Sequence, residues 1–181
     1  EMFNPNSMNA LLKMIEEPGP DNYFILIYNK SKPLIETIKS RCIEFHINLN
    51  SQKKKTAIDH LIKKFSQQKI IKTDLVDISP GNYIKFNYIF NENKINPDDK
   101  FIYNINLILN LYKKEKNILY KDLLLFFTEY YLKTINIYNN VDKLKIIEKR
   151  NFLFRNINDF FLYNLNQGTL INSIERRFGY D

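Results

Sequence analysis

Asn9-Ala10-Leu11-Leu12-Lys13-Met14-Ile15-Glu16-Glu17-Pro18, then Tyr23-Phe24-Ile25-Leu26-Ile27-Tyr28, then Thr37-Ile38-Lys39-Ser40-Arg41-Cys42: these three runs decide how the first quarter of the chain reads. Met8, Leu11, Leu12 and Ile15 recur at i, i+3, i+4 and i+7, which predicts a helix with one apolar stripe, capped by Asn6 or Ser7. Pro18-Gly19-Pro20 stops it. The apolar run 23–28 is built of strand-forming residues and predicts a central strand buried on both faces of a parallel sheet. Ser31-Lys32-Pro33 opens a short helix reaching about Lys39, because proline is tolerated in a first turn, where its missing N–H has no partner to lose. Ile43, Phe45 and Ile47 then alternate with Glu44 and His46, the period of a strand with one buried face.

Beyond residue 50 the period changes from two to 3.6. Ala57, Ile58, Leu61, Ile62 and Phe65 form one stripe behind the basic triplet Lys53-Lys54-Lys55, with Ser51 as the expected cap. A second helix is predicted over 74–79, broken at Pro80-Gly81, and a third over 82–90. The polar, Pro97-containing stretch 91–99 reads as a linker, and four further helices are predicted over 98–113, 120–135, 141–163 and 169–178, packed as a bundle. The fold class is therefore an α/β fragment followed by an all-α remainder, divided at 1–49, 50–93 and 94–181. Two strands cannot make a stable open sheet, which usually has about five, so the chain reads as a piece of a longer protein whose earlier strands lie upstream.

Composition narrows the classes. Of 181 residues, 44% are hydrophobic, 26% charged and 14% aromatic, the balance of a globular protein and not of a disordered or fibrous one. No apolar run approaches the roughly 20 residues of a membrane span, and no basic segment followed by an apolar one opens the chain, so a cytoplasmic protein is expected. A single cysteine, Cys42, excludes an internal disulfide and a thiolate-cluster metal site. The net charge of +7 is concentrated in 50–90, where 8 Lys and Arg face 3 Asp and Glu. That bias permits contact with phosphate backbones, although the wealth of Asn, Ile and Lys is also the signature of AT-rich coding. None of Gly19, Gly81, Gly168 and Gly179 belongs to a G-x-x-x-x-G-K-[ST] loop, so this segment holds no phosphate-wrapping site of its own.

Taken together, N-A-L-L-K-x-x-E-E-P at 9–18, the apolar run at 23–27 and S-R-C at 40–42 resemble the clamp-loader family of AAA+ proteins. In that family the first motif precedes the sensor-1 strand, and S-R-C closes the nucleotide-binding domain. The resemblance implies the end of a RecA-like core (1–49), a helical lid (50–93) and a C-terminal helical collar (94–181). Ser79-Pro80-Gly81 is similar to the G-S-P-G-R stretch of the non-hydrolysing branch, and Asn82 stands at or beside the arginine that the hydrolysing gamma/tau branch uses as sensor 2.

What the resemblance implies for chemistry centres on Arg41. A guanidinium offers paired donors to phosphate oxygens, and when a neighbour supplies it, it stabilises charge developing in phosphoryl transfer. Arg41 is thus expected to act as an arginine finger in trans, on ATP bound by the adjacent gamma/tau subunit. Ser40 would position the loop, and Asn29 would stand at the sensor-1 place. The segment would carry no cofactor and no catalysis of its own. It would be a stator in the DNA polymerase III clamp loader, a part of a DNA-directed DNA polymerase holoenzyme, with the gamma/tau and delta subunits, the sliding clamp and primer–template DNA as partners in DNA replication. Two other readings remain open: an ATP-hydrolysing gamma/tau-type subunit with its phosphate loop upstream, and a stand-alone helical DNA-binding module.

The remaining candidates follow from residue type. Lys53, Lys54, Lys55, Lys63 and Lys64 are the DNA-backbone candidates, against the alternative of a solvated helix face. Phe126, Phe127, Tyr130, Tyr131, Phe160 and Phe161 recur at helical spacing and read as core or subunit interface, not as a stacking platform for single strands. Glu16 and Glu17 read as a solvated helix end. His46 and His60 lack companions at ligand spacing, so no metal is assigned.

Overall fold

Where the chain turns helical, it does so at a capping side chain. Asn50 Oδ1 accepts the Lys53 N–H at 2.8 Å, satisfying one of the orphan donors of a new helix. The cap is therefore Asn50, and Ser51 is already helical. The computed structural model describes residues 5–28, 34–75, 77–139 and 143–178, and the chain falls into two compact units, 1–48 and 49–181.

In the first unit α1 runs over Pro5–Glu16, so Asn6 and Ser7, the expected caps, lie inside the helix. The helix ends with Glu17 N–H donating to Lys13 O at 3.0 Å, directly before Pro18. A turn follows, closed by Asn22 N–H on Gly19 O at 3.2 Å, with Asp21 in the left-handed region at φ 64°. α2 (Glu36–Lys39) is a single turn anchored by Ile38, which is 3% exposed. Of the longer helix expected from Ser31, residues 31–33 lie outside the described residues.

The two expected strands are not formed. Neither 23–28 nor 43–47 is in a β-ladder, and no strand occurs among the described residues. The α/β fragment is thus corrected to helices joined by irregular apolar segments. A strand is completed only by hydrogen bonds to a neighbour, and these two runs do not supply one another. Their side chains remain in water, Ile27 being 95% and Ile47 86% exposed.

The second unit is helical throughout: α3 (Ser51–Lys64), α4 (Pro80–Glu92), α5 (Phe101–Glu115), α6 (Leu119–Asn139), α7 (Lys143–Leu162) and α8 (Gln167–Phe178). α3 packs on α4. α5 packs on α6 and α8, and α7 on α6 and α8, so α5 to α8 close into a four-helix ring, joined by connections short enough to force antiparallel neighbours. Lys116 and Asn164, both left-handed, end α5 and begin the turn after α7.

The expected helix over 74–79 is not formed among the described residues: 74 and 75 lie in a turn and 77–79 are irregular, while residue 76 lies outside the described residues. Asp74 and Asp77 are drawn onto α3 by Lys55 (3.2 Å) and Lys54 (2.6 Å). Pro80 also keeps the residue before it extended, Ser79 having ψ 144°. Pro80-Gly81 does not break a helix but starts one: Ser79 Oγ accepts the Asn82 N–H at 3.3 Å and Pro80 takes the first helical position.

The core of this unit runs without a seam from Ile58 and Ile71 through Tyr83, Phe86 and Phe90 to Phe101, Ile105, Leu123, Phe127, Leu153, Ile157 and Ile174. The stretch 91–99, expected as a linker, sends Ile95 into that core and buries Pro97. Asn96 O accepts from Asn104 Nδ2 at 2.7 Å, which ties the connection to α5. Aromatic rings continue the path from α4 into the bundle. Phe90 meets Phe127 edge-on at 6.0 Å, Phe127 stacks on Phe101 at 5.8 Å, and Phe101 stacks on Tyr131 at 4.2 Å.

Candidate functional site

Arg41 is held in a tight turn leaving α2. Ser40 N–H donates to Glu36 O at 2.9 Å, Arg41 N–H to Ile38 O at 3.1 Å, and Cys42 N–H to Lys39 O at 3.3 Å, so three successive amides wind the chain off the helix over the buried Ile38. The guanidinium is fastened on two sides. Nη1 donates to Thr37 O at 2.9 Å and to Ser40 Oγ at 3.2 Å, and Nε meets Glu16 Oε1 of α1 at 2.6 Å. Ser40 Oγ itself donates to Thr37 O at 3.1 Å. Arg41 nonetheless keeps 38% of its side chain in solvent, and Nη2 has no partner among the described residues. A side chain fixed at Nε and Nη1 while Nη2 stays open can still turn two donors toward an anion outside the unit.

Around this turn the chemistry is plain. Glu36 accepts from Lys39 Nζ at 2.9 Å and raises the Lys39 pKa above its ordinary value, first through that hydrogen bond and then through its charge. Cys42 is a half-buried free thiol, and His46 lies 3.5 Å from Glu44. Among the described residues no cluster of His, Cys, Asp and Glu could hold a metal ion. Asn29 lies outside the described residues.

The five candidate lysines do not form one surface. Lys54 and Lys55 are paired with Asp77 and Asp74, and Lys64 sits 5.9 Å from the Phe65 ring. Lys53 and Lys64, about three turns apart on α3, share its exposed face, and Lys63 lies beside it. Only part of the expected basic surface is therefore left uncompensated. The aromatic set is core. Phe127, Tyr130, Phe126 and Phe160 are buried, while Tyr131 and Phe161 are half-buried, Phe161 packing edge-on against Tyr112 at 4.7 Å.

Two features of the molecule are not apparent in its sequence. Glu16, expected as a solvated helix end, is the carboxylate that holds Arg41. Asn87, in the middle of α4, is fully buried and satisfies the loop 67–71 through all its polar atoms. For Glu16 the signal was its presence in the same motif set as Arg41, but nothing in spacing states that the two ends meet.

With that geometry in view, residues 1–53 match the family described as DNA polymerase III, delta subunit. Over its opening stretch the chain is similar to subunits of DNA polymerase III. Among curated proteins it is similar to DNA polymerase III subunit delta' of Pseudomonas aeruginosa, 48% identical over 44 residues, which is 24% of this chain and 13% of that protein. It is also similar to subunit gamma of Buchnera aphidicola, 38% identical over 64 residues (35% of this chain, 18% of that protein), and to subunit tau of Escherichia coli, 34% identical over 64 residues (35% and 10%). The matched stretch thus spans less than a fifth of each of these relatives. No solved structure matches the chain. Among the described residues no helix is long and apolar enough to cross a membrane.

Proposed function

We propose that the chain acts as a non-hydrolysing stator of the DNA polymerase III clamp loader, presenting Arg41 to ATP bound by a neighbouring gamma/tau-type subunit. The observation that carries this is the fastening of Arg41: a guanidinium held by Thr37, Ser40 and Glu16 at the surface, with Nη2 unengaged, inside a segment that matches the clamp-loader family. A group fixed before the reaction loses little freedom when charge develops on the phosphate oxygens, and fingers of this kind contribute factors of about 10³ to 10⁵ in kcat. Ser40 orients the turn. Asn29 is assigned the sensor-1 place by motif position alone.

In this reading 50–93 is the lid and 94–181 the collar segment, and the delta subunit, the sliding clamp and primer–template DNA are further partners. The closed ring of α5 to α8 fits a rigid member of a larger assembly, and the neutralised Lys54 and Lys55 speak against DNA binding by this chain alone. A second reading, an ATP-hydrolysing subunit, is favoured by the matches to gamma and tau and disfavoured by Asn82 in the sensor-2 region. Nucleotide titration of the full-length protein separates the two, since only the hydrolysing subunit binds ATP tightly by itself.

Arg41→Ala in a reconstituted loader tests the main reading. DNA-stimulated ATPase is expected to fall by a factor on the order of 10² or more. Folding should change little, because both partners of the pair with Glu16 are partly in solvent and surface pairs of this kind contribute about 0–1 kcal/mol. An unchanged rate removes Arg41 from the reaction.

A further inference from the structure

We propose that Glu16 is a positioning residue for Arg41, aiming the guanidinium from the end of α1 so that Nη2 faces outward. The proposal rests on the finger reading above and adds a residue to it. Glu16 Oε1 lies 2.6 Å from Nε, a close ion-pair contact between opposite charges. An arginine side chain has several rotatable bonds, and its backbone turn fixes only the first of them. The contacts of Nη1 with Thr37 O and Ser40 Oγ come from residues one and four positions before Arg41 and hold one edge of the plane. Glu16 comes from a different helix and holds the adjacent edge at Nε. With two edges of a rigid plane held, the direction of the third nitrogen is determined.

The contact has a second consequence. Glu16 is the last residue of α1 and Arg41 the second residue after α2, so the pair links these two helices of the first unit. A carboxylate at a helix C-terminus gains nothing from the helix dipole, which favours cations there. Its partner is therefore the guanidinium and not its own helix.

The experiment uses the full-length protein assembled with its loader partners and compares wild type, Glu16→Ala, Glu16→Gln, Arg41→Ala and the Glu16→Ala/Arg41→Ala double variant. The readout is steady-state ATPase in the presence of clamp and primer–template DNA, with assembly followed by gel filtration. Glu16→Ala is expected to lower kcat about 10-fold with KM for ATP unchanged, because the finger acts on charge present in the transition state and not in bound substrate. Glu16→Gln, which keeps a neutral acceptor at the same reach, should recover part of the loss. In the Arg41→Ala background, Glu16→Ala should cost nothing further, since residues that act as a unit are non-additive.

The proposal is overturned if Arg41→Ala depresses kcat and Glu16→Ala does not, or if Glu16→Ala raises it, the mark of a restraint and not an aim. It is likewise overturned if the two losses multiply, or if the Glu16 loss appears in KM or in assembly. A rate indifferent to Arg41→Ala fails at a different step: it removes the finger reading itself, and Glu16 with it.

Discussion

Asn87 offers the sharpest test of how the second unit is held. Its side chain is 0% exposed, yet every polar atom is used: Oδ1 accepts the Ile70 and Ile71 N–H groups at 3.0 and 3.4 Å, and Nδ2 donates to Gln67 Oε1 at 2.9 Å and Gln68 O at 2.8 Å. One amide therefore clamps the loop after α3 onto α4. Asn87→Ala removes the clamp and leaves the Ile71 N–H without its acceptor beside a side chain that is only 1% exposed. Gln68 O retains Asn91 Nδ2 at 2.9 Å, and Gln67 can reach water, so those two losses are small. An orphaned buried donor costs about 1–3 kcal/mol and each lost neutral hydrogen bond about 1 kcal/mol, which together come to about 3 kcal/mol of destabilisation. For a chain of this size that corresponds to a fall in Tm of about 6–12 °C. Thermal unfolding followed by far-UV circular dichroism measures it, and amide exchange at Ile70 and Ile71 locates it: both amides should lose protection while those of α6 keep theirs. Asn87→Asp should also destabilise, because it retains the acceptor and loses both donors. A Tm for Asn87→Ala within about 2 °C of wild type would refute the reasoning.

Three other outcomes follow from the packing, the titration and the helix start. Phe127→Ala, which removes a fully buried ring touching both Phe90 and Phe101, should cost about 3–5 kcal/mol, read as a lower urea midpoint at unchanged slope. The Tyr120 phenol is pushed up to about 12, first by burial and then by its hydrogen bond to Glu115. The unfolded chain therefore ionises this group near its ordinary value of 10 while the folded chain resists, so its stabilisation is complete below pH 10 and is lost as pH rises from 10 to 12. Tyr120→Phe should flatten that part of the alkaline stability curve. Gly81→Ala should raise stability by about 0.5 kcal/mol, since a Cβ there meets nothing within 4 Å and glycine is a poor helix former. A loss of stability in that variant would mean that Gly81 is needed for its backbone freedom.

Much of the helical architecture is legible residue by residue. The stripes through Ile105, Leu109, Leu123, Phe127, Leu153 and Ile157 repeat at helical spacing, and each is a property of its own few turns. Ser79-Pro80-Gly81 was harder, because the same letters serve as a helix breaker and as a helix start. The outcome was set by the residues before it, with Asp74 and Asp77 drawn onto the lysines of α3, and by Ser79 being free to cap. The runs 23–28 and 43–47 have the letters of strands, but a strand is a relation between two segments, and neither run finds the other here.

At the candidate site the division is similar. Arg41 and Ser40 stand out by motif, and the turn that holds them is local, closed by contacts to Thr37 and Ile38. The pairing of Arg41 with Glu16, and the neutralisation of Lys54 and Lys55, are contacts between elements distant along the chain.

By itself the sequence determined most of the helices beyond residue 50, though not the stretch 74–79, the poverty of metal and phosphate-loop motifs in this segment, and the likeness of its opening to clamp-loader subunits, because periodicity and short motifs are local properties of the chain. The tertiary structure alone decided which lysines keep their charge uncompensated, that the stretch 91–99 belongs to one continuous core, and which carboxylate holds Arg41. Those are matters of distance in space, and electrostatic pairing and burial depend on that distance and not on separation along the backbone.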